Sequence, residues 1–408
     1  MTWDVATFDT ATGVVGAPVD VGGLSWSVSV SDCSLTVDRK RDVGDDAVSS
    51  VSLPWEAVPG TDAQSRHDAV APLRRGLVLS LDGVPVVAGA VGERADTWEG
   101  TSFALLSPMD LLSMRYIVRE GTFGKGSTVV EEGEQAGQTV HDVTVSEVAY
   151  KNLSLRAIAA DLVRLATSAK PGGWLPIEEP AFAGERGAHQ RTYPGFNVAN
   201  NDCAKLLDAI TNVDGGPDIQ FRPRLDGAGA LRWTMEAGSD GEPYLGTKGP
   251  VPTLTCFPGG GTAQSLECAT LAPAMRVYGT GSGQDRATLC HLSEDLSLCR
   301  RRDPWPLVEA TVSGSSDWDN IGLVRSHTDA ALSARKVPLV QLRCEVDVSD
   351  QRNPVVPGRV WPGQRVDIDL DGHPALPDGR YECRLMEMAG SLGSTVTLTF
   401  DQMADPRE

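Results

Sequence analysis

Several things are scarce in this sequence of 408 residues. Aromatic side chains make up only 6%, and no uninterrupted apolar run approaches the ~20 residues that a bilayer-spanning helix needs. The first residues, MTWDVATFDTATG, lack a basic stretch followed by an apolar one. The expectation is therefore a protein that is neither secreted nor membrane-spanning and is synthesised in a cytoplasm. Positive charge is also short. With 36 basic against 55 acidic side chains the net charge is −19, which disfavours phosphate backbones and anionic lipid as ligands. Cysteine occurs eight times (Cys33, Cys203, Cys256, Cys268, Cys290, Cys299, Cys344, Cys383) but never as C-x-x-C. That usage reads as buried small hydrophobes in a reducing compartment, needing neither disulfides nor metal.

What is abundant is glycine (43) and proline (26), the mark of many short strands joined by turns. The length suits two to four domains at roughly 100–200 residues each. Leu24, Trp26, Val28 and Val30 alternate at period two, and Cys33, Leu35 and Val37 repeat the alternation after a turn at Ser31-Asp32, predicting a hairpin or the start of a barrel. Asp82-Gly83 separates two apolar strands and predicts a second hairpin. Trp98, Phe103 and Leu105 continue the β pattern, and Pro108–Arg115 reads as a short helical turn. Residues 120–138 read as an acidic insertion containing Glu131, Glu132 and Glu134.

Ser154 is placed to cap a helix near 154–169, whose apolar stripe is Leu155, Ile158, Ala159, Leu162, Leu165 and Ala166 and which Pro171-Gly172-Gly173 stops. Asn200 or Asn201 would cap a second helix near 201–213, with Cys203, Leu206, Leu207, Ile210 and Val213 on one face and Gly215-Gly216 ending it. A hairpin follows over 217–237, turning at Asp226-Gly227. Residues 246–265 read as a Gly/Pro-rich connection, Met275–Tyr278 as a strand, and 319–336 as a helix carrying Ile321, Val324, Ala331 and Leu332. A meander of strands closes the chain over 339–348, 365–370, 380–388 and 394–400. The predicted division is a β unit at 1–115, an α+β unit at 116–250, and a β unit at 251–408 with an inserted segment.

No constellation for chemistry emerges. Gly124-Lys125-Gly126-Ser127-Thr128 lacks the spacing of a phosphate loop, and Gly279, Gly281 and Gly283 share only glycine content with a dinucleotide fingerprint. There is no G-x-S-x-G elbow, and the six histidines (His67, His141, His189, His291, His327, His373) are scattered. Glu178-Glu179 could serve a wall hydrolase, yet neighbouring residues of a strand point to opposite faces. Cys290-His291 with Cys299 lacks zinc spacing. The basic runs Arg39-Lys40-Arg41 and Arg300-Arg301-Arg302 read as solvated edges or ion-pair partners rather than a nucleic-acid footprint. No catalytic, cofactor-binding or metal residue is assigned, and no cofactor is expected.

The order of segments resembles the minor tail proteins, or tail hub proteins, of long-tailed phages infecting actinobacteria. The likeness rests on the strands around Leu24–Val37, the stretch RGLVLSLDGVPVVAG from Arg75 to Gly89, the helix at 154–169, and the segment DCAKLLDAITNVDGGPDIQFRPRL. It continues through LRWTMEAG and from Asp303-Pro304-Trp305-Pro306 to the end. It implies a β-dominated α+β fold with two β-barrel hub domains and smaller α+β domains. It also implies a non-enzymatic virion protein of the tail tip, a trimeric ring that joins the tail tube to the tip and lines the DNA exit channel. Its implied partners are two further copies and the distal tail, tape measure and tip or fibre proteins. The rival expectations are a tail-associated cell-wall hydrolase and a receptor binder using Trp174 or Trp318 as a carbohydrate platform.

Overall fold

The computed structural model describes residues 1–408 except 22, 31–32, 37–50, 132, 134–135, 247–248, 315–317, 337–338 and 403–408. The turn at Ser31-Asp32, Val37, the basic run Arg39-Lys40-Arg41, and Glu132 and Glu134 thus lie outside the described residues. Strand outweighs helix, 43% against 16%, which makes the class β-dominated α+β.

A first, antiparallel sheet has the order Val15–Pro18, Trp3–Asp9, Arg75–Leu81, Val84–Asp96, Gly100–Leu106, Val51–Pro54. Its central hairpin turns at Asp82-Gly83 with φ of 48° and 76° at the two loop residues, the conformation of a tight turn whose twist matches the strands. Trp98 is not part of the β alternation. It occupies the turn Thr97–Gly100, closed by Thr97 N donating to Gly100 O at 2.8 Å, and is 98% exposed.

The second sheet has nine strands. Its path runs Gly260–Gly261, Thr253–Phe257, Arg365–Leu370, Gly379–Ser391, Thr395–Gln402, Leu339–Asp347, Ala263–Leu271. Thr253–Phe257, Gly260–Gly261 and the start of Ala263–Leu271 lie within what the sequence suggested was a connection, because the strands hide behind Pro258-Gly259, which forms the turn between the first two. Ser25–Ser29 joins the same sheet by pairing with the far half of Gly379–Ser391, and Cys33–Thr36 extends it. Ser25–Ser29 and Cys33–Thr36, read from sequence as part of the N-terminal unit, therefore hydrogen-bond into the C-terminal sheet.

The two expected barrels are not seen: among the described residues no sheet closes into a barrel. The second sheet curls until its first and last strands meet in sequence at Thr262. Thr255 and Thr262 extend the adjoining hairpin, their backbone amides donating to each other's hydroxyls at 3.0 and 3.2 Å. The two large sheets share one core, drawn from Val5, Leu79 and Phe103 of the first and Trp26, Leu342, Ile368 and Phe400 of the second. Trp26, 2% exposed, donates its indole N–H to Ser391 O, and its ring lies 5.5 Å from Trp3, which donates to Gly393 O.

The middle of the chain carries α1 (Ala63–Ala69), α2 (Pro108–Ser113), α3 (Leu155–Ala166) and α4 (Cys203–Thr211). Ser107 and Asp110 form a reciprocal capping box on α2, and Ser154 Oγ accepts from Ala157 N at 3.2 Å on α3. The cap of α4 is Asp202 rather than Asn200 or Asn201. Asp202 has the extended backbone a cap needs and accepts from Lys205 N at 2.8 Å, while Asn201 is buried and donates to Pro194 O. Helices α2, α3 and α4 share a second core with Val148, Tyr150 and Met235. The region read as an acidic insertion holds a hairpin, Gly126–Val129 with Thr139–Val143.

The last unit is a three-stranded sheet (Arg276–Thr280, Cys290–Glu294, Glu309–Ser313) with α5 (Ile321–Ser333) on one face. The buried stripe of α5 is Val324, Thr328 and Leu332; Ile321 is 45% exposed and Ala331 half-buried, against expectation. The reason lies in Gly279, where a Cβ would collide with Thr328, so strand and helix approach closely along that line only. This packing is what the Gly279-Gly281 pattern serves. Removing the Trp26 ring is expected to lower stability by ~3–5 kcal/mol, read as the shift in urea midpoint of Trp26→Ala at an unchanged slope.

Candidate functional site

α3 is amphipathic. Leu155, Ile158, Ala159, Leu162, Val163 and Ala166 are buried, which leaves Asp161 and Arg164 on its margin. Opposite that margin runs the chain from Trp174 to Gly184, held by Pro176 O, which accepts from Trp233 N at 2.8 Å, and by parallel pairing of Ile177–Glu178 with Trp233 and Thr234. Between them lies an open cleft of about 440 Å³. Val163, Leu175, Ile177 and Met235 line it with apolar atoms, and Asp161, Arg164, Glu178, Glu179 and the Trp174 indole supply its polar margin. Its volume falls within the roughly 300–1,000 Å³ of small-molecule sites.

Both walls are fixed from behind. Arg115 donates one nitrogen to Ala166 O at the end of α3 and to Gly173 O beside Trp174. Burial lowers the guanidinium's pKa from its ordinary value. At the start of α3 Arg156 donates to Glu185 at 2.6 Å and stacks 5.1 Å over Phe182. The Arg156 hydrogen bond, with a smaller share from Ser154, holds the Glu185 carboxyl down at about 2. Asp161 accepts from Tyr150 Oη at 2.8 Å and from Arg164 Nε at 2.6 Å. Burial, then the Asp161 charge, raises the Tyr150 phenol far above its ordinary value.

The residues singled out in the sequence are dispersed. Glu178 and Glu179 both border the cleft, which strand alternation spoke against; Glu179 lies one residue past the strand's end, where alternation no longer governs. Glu178 is occupied, taking Arg224 Nε at 2.9 Å and the Thr234 hydroxyl at 3.3 Å. Cys290 is exposed on a strand and Cys299 half-buried in a 3-10 turn, and among the described residues no group of three or more metal-ligating side chains forms. Gly126-Ser127-Thr128 is strand, not a phosphate cradle.

The histidines do not build a relay. His291 and Ser293 both bond Asp329, so the carboxylate stands between serine and imidazole instead of behind the imidazole. Ser127 Oγ lies 2.8 Å from His141 Nδ1 as a cross-strand pair on an exposed hairpin outside the cleft. His327 stacks on Trp318 at 4.4 Å, and burial lowers its pKa. Trp318 is thus a half-buried anchor, whereas Trp174 is 57% exposed. Arg300, Arg301 and Arg302 are exposed, as solvated edges are.

Cysteine burial is mixed. Cys203, Cys344 and Cys383 are buried, and desolvation pushes the latter two up to about 12. Cys268 and Cys290 are exposed, contrary to the reading of all as core. Cys268 belongs to Ala263–Leu271, an outer strand of the second sheet that is exposed along most of its length and carries one charge, Glu267.

No protein-family model matches the chain, and no curated protein matches it by sequence. The solved structures it is similar to include phage tail proteins. Over 99% of this chain and 97% of the other it is similar to the tail protein from Neisseria meningitidis MC58, with 12% identity and a TM-score of 0.49. Over 98% of each it is similar to the 43 kDa tail protein of prophage MuSo2 from Shewanella oneidensis, with 10% identity and a TM-score of 0.49. Over 96% of this chain and 75% of the other it is similar to an E. coli component of the type VI secretion system that exhibits structural similarity to T4 bacteriophage tail proteins, with 12% identity and a TM-score of 0.43.

Two outcomes follow from the chemistry of these side chains. A brief alkylation of the native chain, mapped by peptide mass, is expected to label Cys290 and to spare Cys203, Cys344 and Cys383. Folding holds Glu185 below its ordinary value of 4.5, so it favours the ionised form. The stability this contributes is whole above about pH 4.5 and is lost as pH falls toward 2. Melting curves of Glu185→Gln should therefore lose that part of the acid dependence and keep the rest.

Proposed function

We propose that this chain is a structural protein of a phage tail tip, present in the virion, and that it works by assembling with two further copies into a hub ring. The ring joins the tail tube to the tip and lines the DNA exit channel, with the distal tail, tape measure and tip or fibre proteins as neighbours. The observation that carries this reading is the pair of large sheets on one core, ending in the long, sparsely charged strand Ala263–Leu271. An uncovered outer strand of that length invites pairing or packing with another chain, and soluble monomers ordinarily blunt such edges with charge or proline. The first sheet's outer strand, Val15–Pro18, is short and ends in proline, as a blunted edge does.

On this reading the units at 1–115, 116–250 and 251–408 remain useful divisions, with 25–36 lent across to the last. The net charge of −19 suits a lumen that DNA must leave without adhering, within a screening length of roughly 8–10 Å. The role is non-enzymatic: Glu178 is neutralised by Arg224, His291 and Ser293 meet only through Asp329, and among the described residues no third group orients His141 beside Ser127.

Light scattering across a concentration series should give three times the chain mass, and Ala269→Lys combined with Leu271→Lys should return it to one chain mass without lowering the melting temperature. Cys268 should alkylate in that variant and be protected in the assembled form. A single-chain mass at every concentration, together with free alkylation of Cys268 in intact particles, would overturn the proposal.

A further inference from the structure

The cleft beside α3 is lined by residues other than those of the Ala263–Leu271 edge, and its chemistry specifies a ligand class. Trp174 presents its indole at the mouth, 57% exposed and without a hydrogen bond among the described residues. A large aromatic held out of the core beside an apolar floor is a flat surface awaiting a flat partner. Glu179, exposed on the same wall, likewise makes no hydrogen bond among the described residues, and Arg164 of the facing helix commits only Nε, to Asp161.

The sign of the cleft excludes much. Three carboxylates, from Asp161, Glu178 and Glu179, face Arg164, and the nearby Arg224 is already paired with Glu178. A phosphate or an acidic ligand would enter against that balance. A purely apolar ligand would cover Glu179 without giving its carboxylate a partner. What remains is a molecule with one apolar face and a rim of hydroxyl or amino donors, which describes a pyranose ring. Its axial C–H face stacks on the indole, and its equatorial groups donate to Glu179 and Asp161 and accept from Arg164.

We propose that this cleft binds a short neutral or amino saccharide. Preorganisation supports it: Arg115 ties the end of α3 to Gly173 next to Trp174, and Arg156 ties its start to Glu185, so little ordering entropy is lost on binding. The inference does not depend on the hub reading, and its failure would leave that reading intact.

The test is calorimetric titration of the full chain, since the chain's 9 tryptophans would blur a fluorescence signal. The probes are the tetrasaccharide of N-acetylglucosamine, its de-acetylated counterpart, and N-acetylglucosamine 6-phosphate. Saturable one-site binding of either tetrasaccharide is expected. Trp174→Ala should weaken it at least about tenfold, and Glu179→Gln should weaken it by roughly three- to tenfold, with circular dichroism and mass unchanged. Absence of binding by both tetrasaccharides, stronger binding of the phosphorylated sugar, or full affinity in Trp174→Ala would each overturn the assignment.

Discussion

The structure depends on one pairing, that of Ser25–Ser29 with the far half of Gly379–Ser391. It brings residues more than three hundred positions apart into one ladder and sets Trp26 into the core with its indole bonded to Ser391. Loop-closure entropy grows only with the logarithm of length, so so wide a loop costs little more than a much shorter one. The kinetic consequence is larger, because such non-local pairing must wait for the rest of the chain and slows folding. With the pairing made, the first and second sheets become one body, and the middle of the chain is carried as an excursion between them.

That excursion is fastened at several points, by apolar packing of Leu231 and Trp233 on Phe8, Val78 and Ala88 and by polar contacts. Arg384 pairs with Asp218 and lies 4.5 Å over the Tyr244 ring, Arg222 lies 5.6 Å over Trp361, and Gln220 donates to Ser29 O at 3.0 Å. Burial lowers the Arg222 pKa to about 10. Contacts of this kind contribute less net stability than apolar packing would, since desolvating the ions offsets much of the attraction. They do set orientation, because a planar guanidinium meets a ring or carboxylate in few geometries.

The sequence disclosed what local chemistry determines. The Ser154 cap, the α3 stripe, the Asp82-Gly83 turn and the strands of the meander follow from spacing and φ requirements that act within a few residues. Partner choice was hidden: alternation at Leu24–Val30 marks a strand and says nothing of which strand it joins. Helix α5 shows the same limit, since its buried face follows Gly279 on a strand some fifty residues earlier. The cleft was half legible. Trp174 and Glu178-Glu179 stood out by type, but their meeting with Asp161 and Arg164 required knowing that the chain after α3 folds back along it.

Site and frame are joined by one strand. Leu231–Ala237 begins at Leu231, whose N–H donates to Gly13 O of the first sheet at 2.7 Å, and carries Met235 into the wall of the cleft. Between them Trp233 packs edge-on against Phe8 at 5.7 Å. A strand paired along both edges, with Ile177–Glu178 on one side and Ile219–Leu225 on the other, does not flex between its ends. A ligand in the cleft would therefore meet walls already in place and would transmit little motion to the sheets. If the cleft takes a saccharide and the sheet edge a second copy, as proposed, this strand would let the two act without mechanical coupling.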